Sequence, residues 1–289
     1  MNEISVLMSV NNAEEPIAES IESVISQSFS DLELIIVSHC STDHLRSIIS
    51  RYHDKRILLL DHEKICFQSL NAGLNAATGK YVARMNAEDL MHIDYLKILH
   101  SIMEDYTKIS VCGCWYVIFG QKMPVQIPER QINGIIDNPL IRLLIEEIQI
   151  NPIYVIRSSF LKTHNVLFEQ YPYAEDYKLW VEMAKMDAVF YVEPQLLSYK
   201  RSSDFEISGT QREEHLESKS KINNDVIFSL CKKHKALYPS LTSLYDACSE
   251  LLKQNLISEN EMIKSFSSLF LQNRKLFFNN DYQNQIQII

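Results

Sequence analysis

Two acidic clusters in this chain have the residue types and the setting for chemistry. Asn86, Ala87, Glu88 and Asp89 follow directly on Tyr81 to Met85, a short run that reads as a buried strand. Unpaired charges are costly to bury, so two acids and an amide at the end of such a strand are not core filler. At the carboxyl end of a strand in an α/β sheet, a polar cluster usually faces a ligand crevice. Acid oxygens at this spacing suit a divalent cation holding a diphosphate. The same residues would also serve a solvated strand-to-helix turn with Asp89 capping the next helix. The second cluster, Glu175-Asp176, heads a segment with Trp180, Met183 and Ala184 that reads as a helix. Asp176 there is open to a second reading, as an N-terminal acid stabilised by the helix dipole.

The elements that must position these groups follow from hydrophobic periodicity. Ile4 to Val10 is a β-rich run, and Ala13 to Gln27 places Ile17, Ile21, Val24 and Ile25 on one helical face. Leu32 to Val37 is continuously apolar, as in a buried parallel strand. A helix with Leu45, Ile48, Ile49 and Tyr52, a strand over Arg56 to Leu60, a helix from Phe67 to Ala77 and the strand Tyr81 to Met85 complete a β-α-β-α-β-α-β order. That order predicts a parallel sheet covered by helices. Its strand carboxyl ends would carry Asn11-Asn12, Ser38 to Asp43, Asp61 to Cys66 and Asn86 to Asp89. Further on, the sequence predicts a helix near Ile93 to Tyr106 and a strand over Val111 to Phe119. A loop follows over Gln121 to Arg130, then a helix over Pro139 to Ile148 and strands over Pro152 to Ile156 and Val189 to Val192. From about Gln211 the pattern is helical, which puts a boundary near residue 210: a domain over 1–210 and a helical extension over 211–289.

Composition narrows the class. The chain has 289 residues, 46% of them hydrophobic, enough for a sizeable core. Its net charge of −9 argues against nucleic acid as a partner. No apolar run approaches the length of a spanning helix, and the amino-terminal MNEISVLMSV lacks a basic region, so it reads as the first strand rather than a signal peptide. The six cysteines form no Cys-x-x-Cys pair, which fits reduced thiols in a cytoplasmic protein and makes a zinc site improbable.

Four stretches together resemble family 2 glycosyltransferases of the GT-A fold. They are ISVLMSVNN, QSFSDLELIIVSHCSTD, SLNAGLNAATGKYVARMNAED and YAEDYKLW, in the family's order and spacing, over roughly residues 4–205. The resemblance implies a mixed, Rossmann-like α/β sheet with helices on both faces. It implies inverting transfer of a sugar from a nucleotide-diphosphate sugar, a UDP-sugar in most of the family, to an acceptor hydroxyl of a glycan or glycolipid. A Mn²⁺ or Mg²⁺ ion would assist the diphosphate. By position, Asp176 would be the catalytic base with Glu175 beside it, and Glu88 the metal-binding acid with Asp89 next to it. Asn12, Ser38 and His39 would line the nucleotide pocket. Asn86 and Ala87 would lie along the donor, and Asp43, Asn71 and Arg84 on its diphosphate side.

The departures cluster on the donor half. Ser38-His39-Cys40 stands where the family has Asp-Asp-Gly, Cys66 where it has a loop glycine, Asn86-Ala87-Glu88 where it has Asp-Ala-Asp, and Ser202 where it often has histidine. A catalytically inactive binding or assembly module is therefore the alternative reading. Trp115 and Trp180 read as core; Lys200 and Arg201 could face the diphosphate, but a solvated pair is the stronger reading. The tail carries Phe266, Leu269, Phe270 and Phe277 at near-helical spacing with basic residues between them. Packing in a helical subdomain is the stronger reading; peripheral membrane contact at the inner face and a homodimer through the C-terminal helices are the others.

Overall fold

The computed structural model describes residues 2–39, 44–62, 66–120, 124–128, 132–145, 148, 152–202, 209–233, 252, 253 and 259. In chain order the elements are β1 (Ile4–Val10), α1 (Ile17–Ile25), β2 (Leu32–His39), α2 (Leu45–Ile49), β3 (Ile57–His62), α3 (Cys66–Ala76), β4 (Tyr81–Asn86), β5 (Leu90–Met91) and α4 (Tyr95–Asp105). They continue with β6 (Ile109–Phe119), β7 (Gly134–Ile135), α5 (Pro139–Ile145), β8 (Tyr154–Arg157), α6 (Ser158–His164), α7 (Glu175–Lys185), β9 (Val189–Arg201) and α8 (Gly209–Lys233).

The nine strands of the described residues join one mixed sheet in the order β3-β2-β1-β4-β8-β6-β9-β5, with β7 on β9. The expected parallel unit is present: β1 pairs in parallel with β2 and β4, and β2 with β3. Beyond β4 the sheet turns antiparallel through β8, which pairs with both β4 and β6. Strand β4 is thus central and buried on both faces, as its burial from Tyr81 to Met85 records.

Alternate residues of the strands divide between two cores. Leu7, Val37, Val82, Tyr154 and Ile156 face α3, α5, α7 and α8, whose Leu70, Leu143, Trp180 and Ile222 complete one layer. Val6, Met8, Ile36, Ala83 and Met85 face α1 and α4, whose Ile17, Ile21, Tyr95 and Leu99 complete the other. Helices therefore cover both faces. Gly79 sets where β4 begins. A Cβ there would sit 2.6 Å from Ser5 N, and Ser5 Oγ accepts the Gly79 N–H at 2.8 Å. Only glycine lets the chain enter β4 that close to β1.

Several elements differ from the sequence expectation. Strand β9 runs to Arg201 rather than stopping at Val192. Pro194 and Gln195 look like a strand end, but the β6–β9 pairing shifts register around Cys114 and Trp115 and so passes the proline. Helix α6 and the two-residue strands β5 and β7 carry too little periodicity to be read from sequence. The membrane and dimer readings rest on Phe266, Leu269, Phe270 and Phe277, which lie outside the described residues. No helix among the described residues is long and apolar enough to cross a membrane.

Candidate active site

Strand register brings the first site residues together. Arg84 in β4 lies opposite Leu7 of β1 and opposite Tyr154 of β8. Helix α7 starts at Glu175, and its first turn holds Glu175 and Asp176 over this point of the sheet. The Tyr154 hydroxyl donates to Asp176 Oδ1 at 2.5 Å, and Arg84 Nε lies 3.6 Å from the same oxygen. Arg84 is 7% exposed, and its Nε and Nη1 have no hydrogen-bond partner. Burial works against its charge, but Asp176, Tyr154, Cys66 and Asp89 outweigh it and hold the guanidinium above its ordinary range.

The turn after β4 is braced from the end of β9. Asp89 is 1% exposed; its Oδ1 accepts the Arg201 N–H at 3.0 Å and its Oδ2 accepts Asn86 Nδ2 at 2.9 Å. Arg201 Nε donates to the Glu88 carbonyl at 2.9 Å, its guanidinium lies 4.6 Å from the centre of the Phe119 ring, and its Nη2 pairs with Glu19. Arg201 is thus a clamp rather than half of a solvated pair. Lys200 beside it is exposed and has no ion-pair partner among the described residues.

Crowding of acids in a partly buried space leaves its mark on their ionisation. Burial, then Glu88, pushes Asp89 up to about 7, against its bonds from Arg201 and Asn86. Burial, reinforced by Asp176, pushes Glu175 up to about 7. Burial also lifts Glu88, opposed by Arg84, Lys200 and Arg201. The Cys66 thiol, at the start of α3, is pushed up to about 11 by burial and by Glu175, so it is not a reactive thiolate. Arg84 is the common neighbour in this account: its charge bears on Glu88, Asp89, Glu175, Asp176 and Cys66. Charges from both acidic clusters therefore bear on one buried cation, with Asp176 in direct ion-pair range.

The remaining expected residues lie as follows. Asn12 takes a left-handed backbone, φ +48°, just past β1. Its neighbour Asn11 donates from Nδ2 to the His39 carbonyl at 2.8 Å and ties the ends of β1 and β2. Ser38 is buried beside Val10 in register, and His39 pairs with His62 at the outer edge. The Ala87 carbonyl accepts Ser20 Oγ at 2.7 Å. Both ends of the Asn71 amide are taken by Phe168: Nδ2 donates to its carbonyl and Oδ1 accepts its N–H, each at 2.9 Å. Asp43 lies outside the described residues. Sequence reasoning missed Tyr154, which reads as one more core aromatic, and undervalued Arg201.

Residues 5–166, more than half of the chain, match the model of the family described as "Glycosyl transferase family 2". The chain belongs to this family.

An uncharacterized glycosyltransferase of Haemophilus influenzae is 32% identical over 238 residues, covering 78% of this family 2 chain and 73% of that protein. Two solved structures share the fold. TarS of S. aureus in complex with UDP-GlcNAc matches with a TM-score of 0.68 at 17% identity, over 98% of this chain and 78% of that one. The mannosyltransferase PcManGT of Pyrobaculum calidifontis, in complex with GDP-Man and Mn²⁺, matches with a TM-score of 0.57 at 13% identity, over 99% and 83%. The sheet is thus that of a GT-A glycosyltransferase. In this transferase the cluster around Arg84 occupies the carboxyl end of β4, where the sheet changes from parallel to antiparallel pairing.

Proposed function

We propose that this chain is an inverting glycosyltransferase that takes a sugar from a UDP-sugar and places it on an acceptor hydroxyl of a growing surface glycan or glycolipid. The Arg84–Asp176 ion pair at the carboxyl end of β4, with Glu88, Asp89 and Glu175 in electrostatic reach of the same guanidinium, supports this reading. The TarS complex with UDP-GlcNAc supports a UDP-linked donor.

In the proposed reaction Asp176 takes the acceptor proton from the face of the sugar opposite the diphosphate. The acceptor oxygen bonds to the anomeric carbon as the bond from that carbon to the diphosphate oxygen breaks, and the diphosphate leaves with the electron pair. Arg84, buried beside the base and with unpaired N–H groups, biases the site toward negative charge. Glu175 stands beside the base, with a carboxyl half protonated near neutrality.

The residues after β4 fit a divalent cation. Asn86 turns its nitrogen to Asp89, which leaves its carbonyl oxygen available, and the Glu88 carboxylate has no hydrogen bond from another residue among those described. Asp89 has both oxygens engaged, so it supports the turn. One carboxylate and one amide oxygen are few ligands, and diphosphate oxygens would complete the shell, as is common for Mg²⁺. Such an ion would supply Lewis-acid charge to the leaving group. The three-residue group Glu3, His100 and Glu104 sits at the other end of β1, where Glu104 is already paired with Lys80.

Replacing Asp176 by Asn tests the reading. UDP release from UDP-sugars should fall about 10²- to 10⁴-fold, while UDP affinity by calorimetry stays within about twofold. A variant that turns over like the wild type would remove Asp176 from the mechanism.

A further inference from the structure

The two carboxylate oxygens of Asp176 have different surroundings. Oδ1 accepts the Tyr154 hydroxyl and lies near Arg84 Nε; Oδ2 has no hydrogen bond among the described residues. Tyr154 is fully buried, stands opposite Arg84 in the β4–β8 ladder, and meets the Trp180 ring edge-on at 5.4 Å between centroids. Trp180 lies one turn beyond Asp176 in α7, so the phenol ring is fixed from the helix side as well as from the sheet.

Arg84 makes an unusual neighbour for such a carboxylate. At 3.6 Å its Nε is too far for a hydrogen bond, yet Nε and Nη1 are buried without partners. A guanidinium in that state would gain from closing on the carboxylate bidentately, which would occupy both oxygens. The Tyr154 hydroxyl instead reaches that same Oδ1 from the β8 side.

We propose that Tyr154 is a positioning residue for the base: its hydroxyl fixes Asp176 Oδ1 short of Arg84 and so presents Oδ2 to the acceptor hydroxyl. The inference rests on the reading of Asp176 as base. A carboxylate on a helix end can rotate about two side-chain bonds, and anchoring one oxygen removes that freedom before the acceptor arrives.

Tyr154→Phe removes one oxygen and keeps the ring that Trp180 packs against. With UDP-GlcNAc, UDP-glucose and UDP-galactose as donors and water as acceptor, kcat for UDP release should fall about 10- to 100-fold. The donor KM should stay within about twofold. Adding Tyr154→Phe to Asp176→Asn should slow it no further, because the two act through one carboxylate. A second arm needs no turnover. In protein labelled with ¹³C at aspartate carboxyls, the Asp176 resonance, assigned as the one lost in Asp176→Asn, should move in Tyr154→Phe. A crystal structure of that variant should show Asp176 closed on Arg84. An unmoved resonance, or a carboxylate still held off Arg84, would overturn the proposal, as would additive losses in the double variant. Wild-type turnover by Asp176→Asn would instead defeat the base assignment itself.

Discussion

Arg84 and Asp176 form an ion pair in which only one member is cut off from water: the Arg84 side chain is 8% exposed and that of Asp176 is 23% exposed. The two halves should therefore differ in what their loss costs. Asp176→Asn takes from a buried guanidinium its direct ion-pair partner, which costs about 3 kcal/mol. Arg84→Met removes that guanidinium along with its two unpartnered nitrogens and leaves a carboxylate that water and Tyr154 still reach; the net cost should be less than about 1 kcal/mol. Urea unfolding of the two variants measures the difference, and the opposite order would show that the pair is not organised around desolvation of Arg84.

Stability should fall as pH rises across neutrality in the absence of nucleotide. Asp89 and Glu175, both pushed up to about 7, ionise far lower in the unfolded chain, so the folded state binds more protons between about pH 5 and 7. The stability they contribute is fully present below the ordinary carboxylate range and is lost as pH climbs through their folded values. Glu33, Asp54, Glu104 and Asp225 are shifted downward, so their contribution is already complete above that range. The melting temperature should drop from about pH 5 to about pH 8, and Asp89→Asn should flatten the slope. A melting temperature that rises over the interval contradicts this account.

Arg201 should matter to donor binding although its side chain points at the protein. It links the Glu88 carbonyl to Glu19 and stacks on Phe119, and these contacts set the path of the turn. Arg201→Met keeps the main-chain bond to Asp89 and loses the rest. It should destabilise the fold by about 1–2 kcal/mol and weaken UDP binding roughly tenfold. Unchanged affinity in calorimetry would mean that the turn holds its shape without the clamp.

Metal dependence should trace to Glu88. Mn²⁺ should tighten UDP binding about tenfold or more, and EDTA should reverse it. Glu88→Gln should lose that increment and keep the metal-free affinity. If EDTA leaves wild-type binding untouched, the charge on the diphosphate must be met by side chains, and exposed Lys200 is the residue to replace next.

The expectation that Asn86 to Asp89 follow the end of a buried strand held because it needed only local signals: an apolar run, then acids, after a helix that ends just before Gly79. The family followed from motifs in fixed order. Arg201 was misjudged because Pro194 hides a strand that a bulge carries onward. Asn71 was expected on the diphosphate side of the donor or behind it, and the fold shows both ends of its amide bonded to Phe168, a partner that no local pattern names.

The sequence by itself determined the alternation of strands and helices, the carboxyl-end placement of the acids and the membership of the family, because periodicity, turn residues and motif spacing are written along the chain. Tertiary structure decided which groups meet. Tyr154 faces Arg84 only through the β4–β8 register, and Arg201 reaches Glu88 only because β9 returns to the sheet edge beside β5. Cross-strand register arises from packing summed over both faces of the sheet. No local stretch encodes it, so the partners of the buried cation could be known only once the chain had folded.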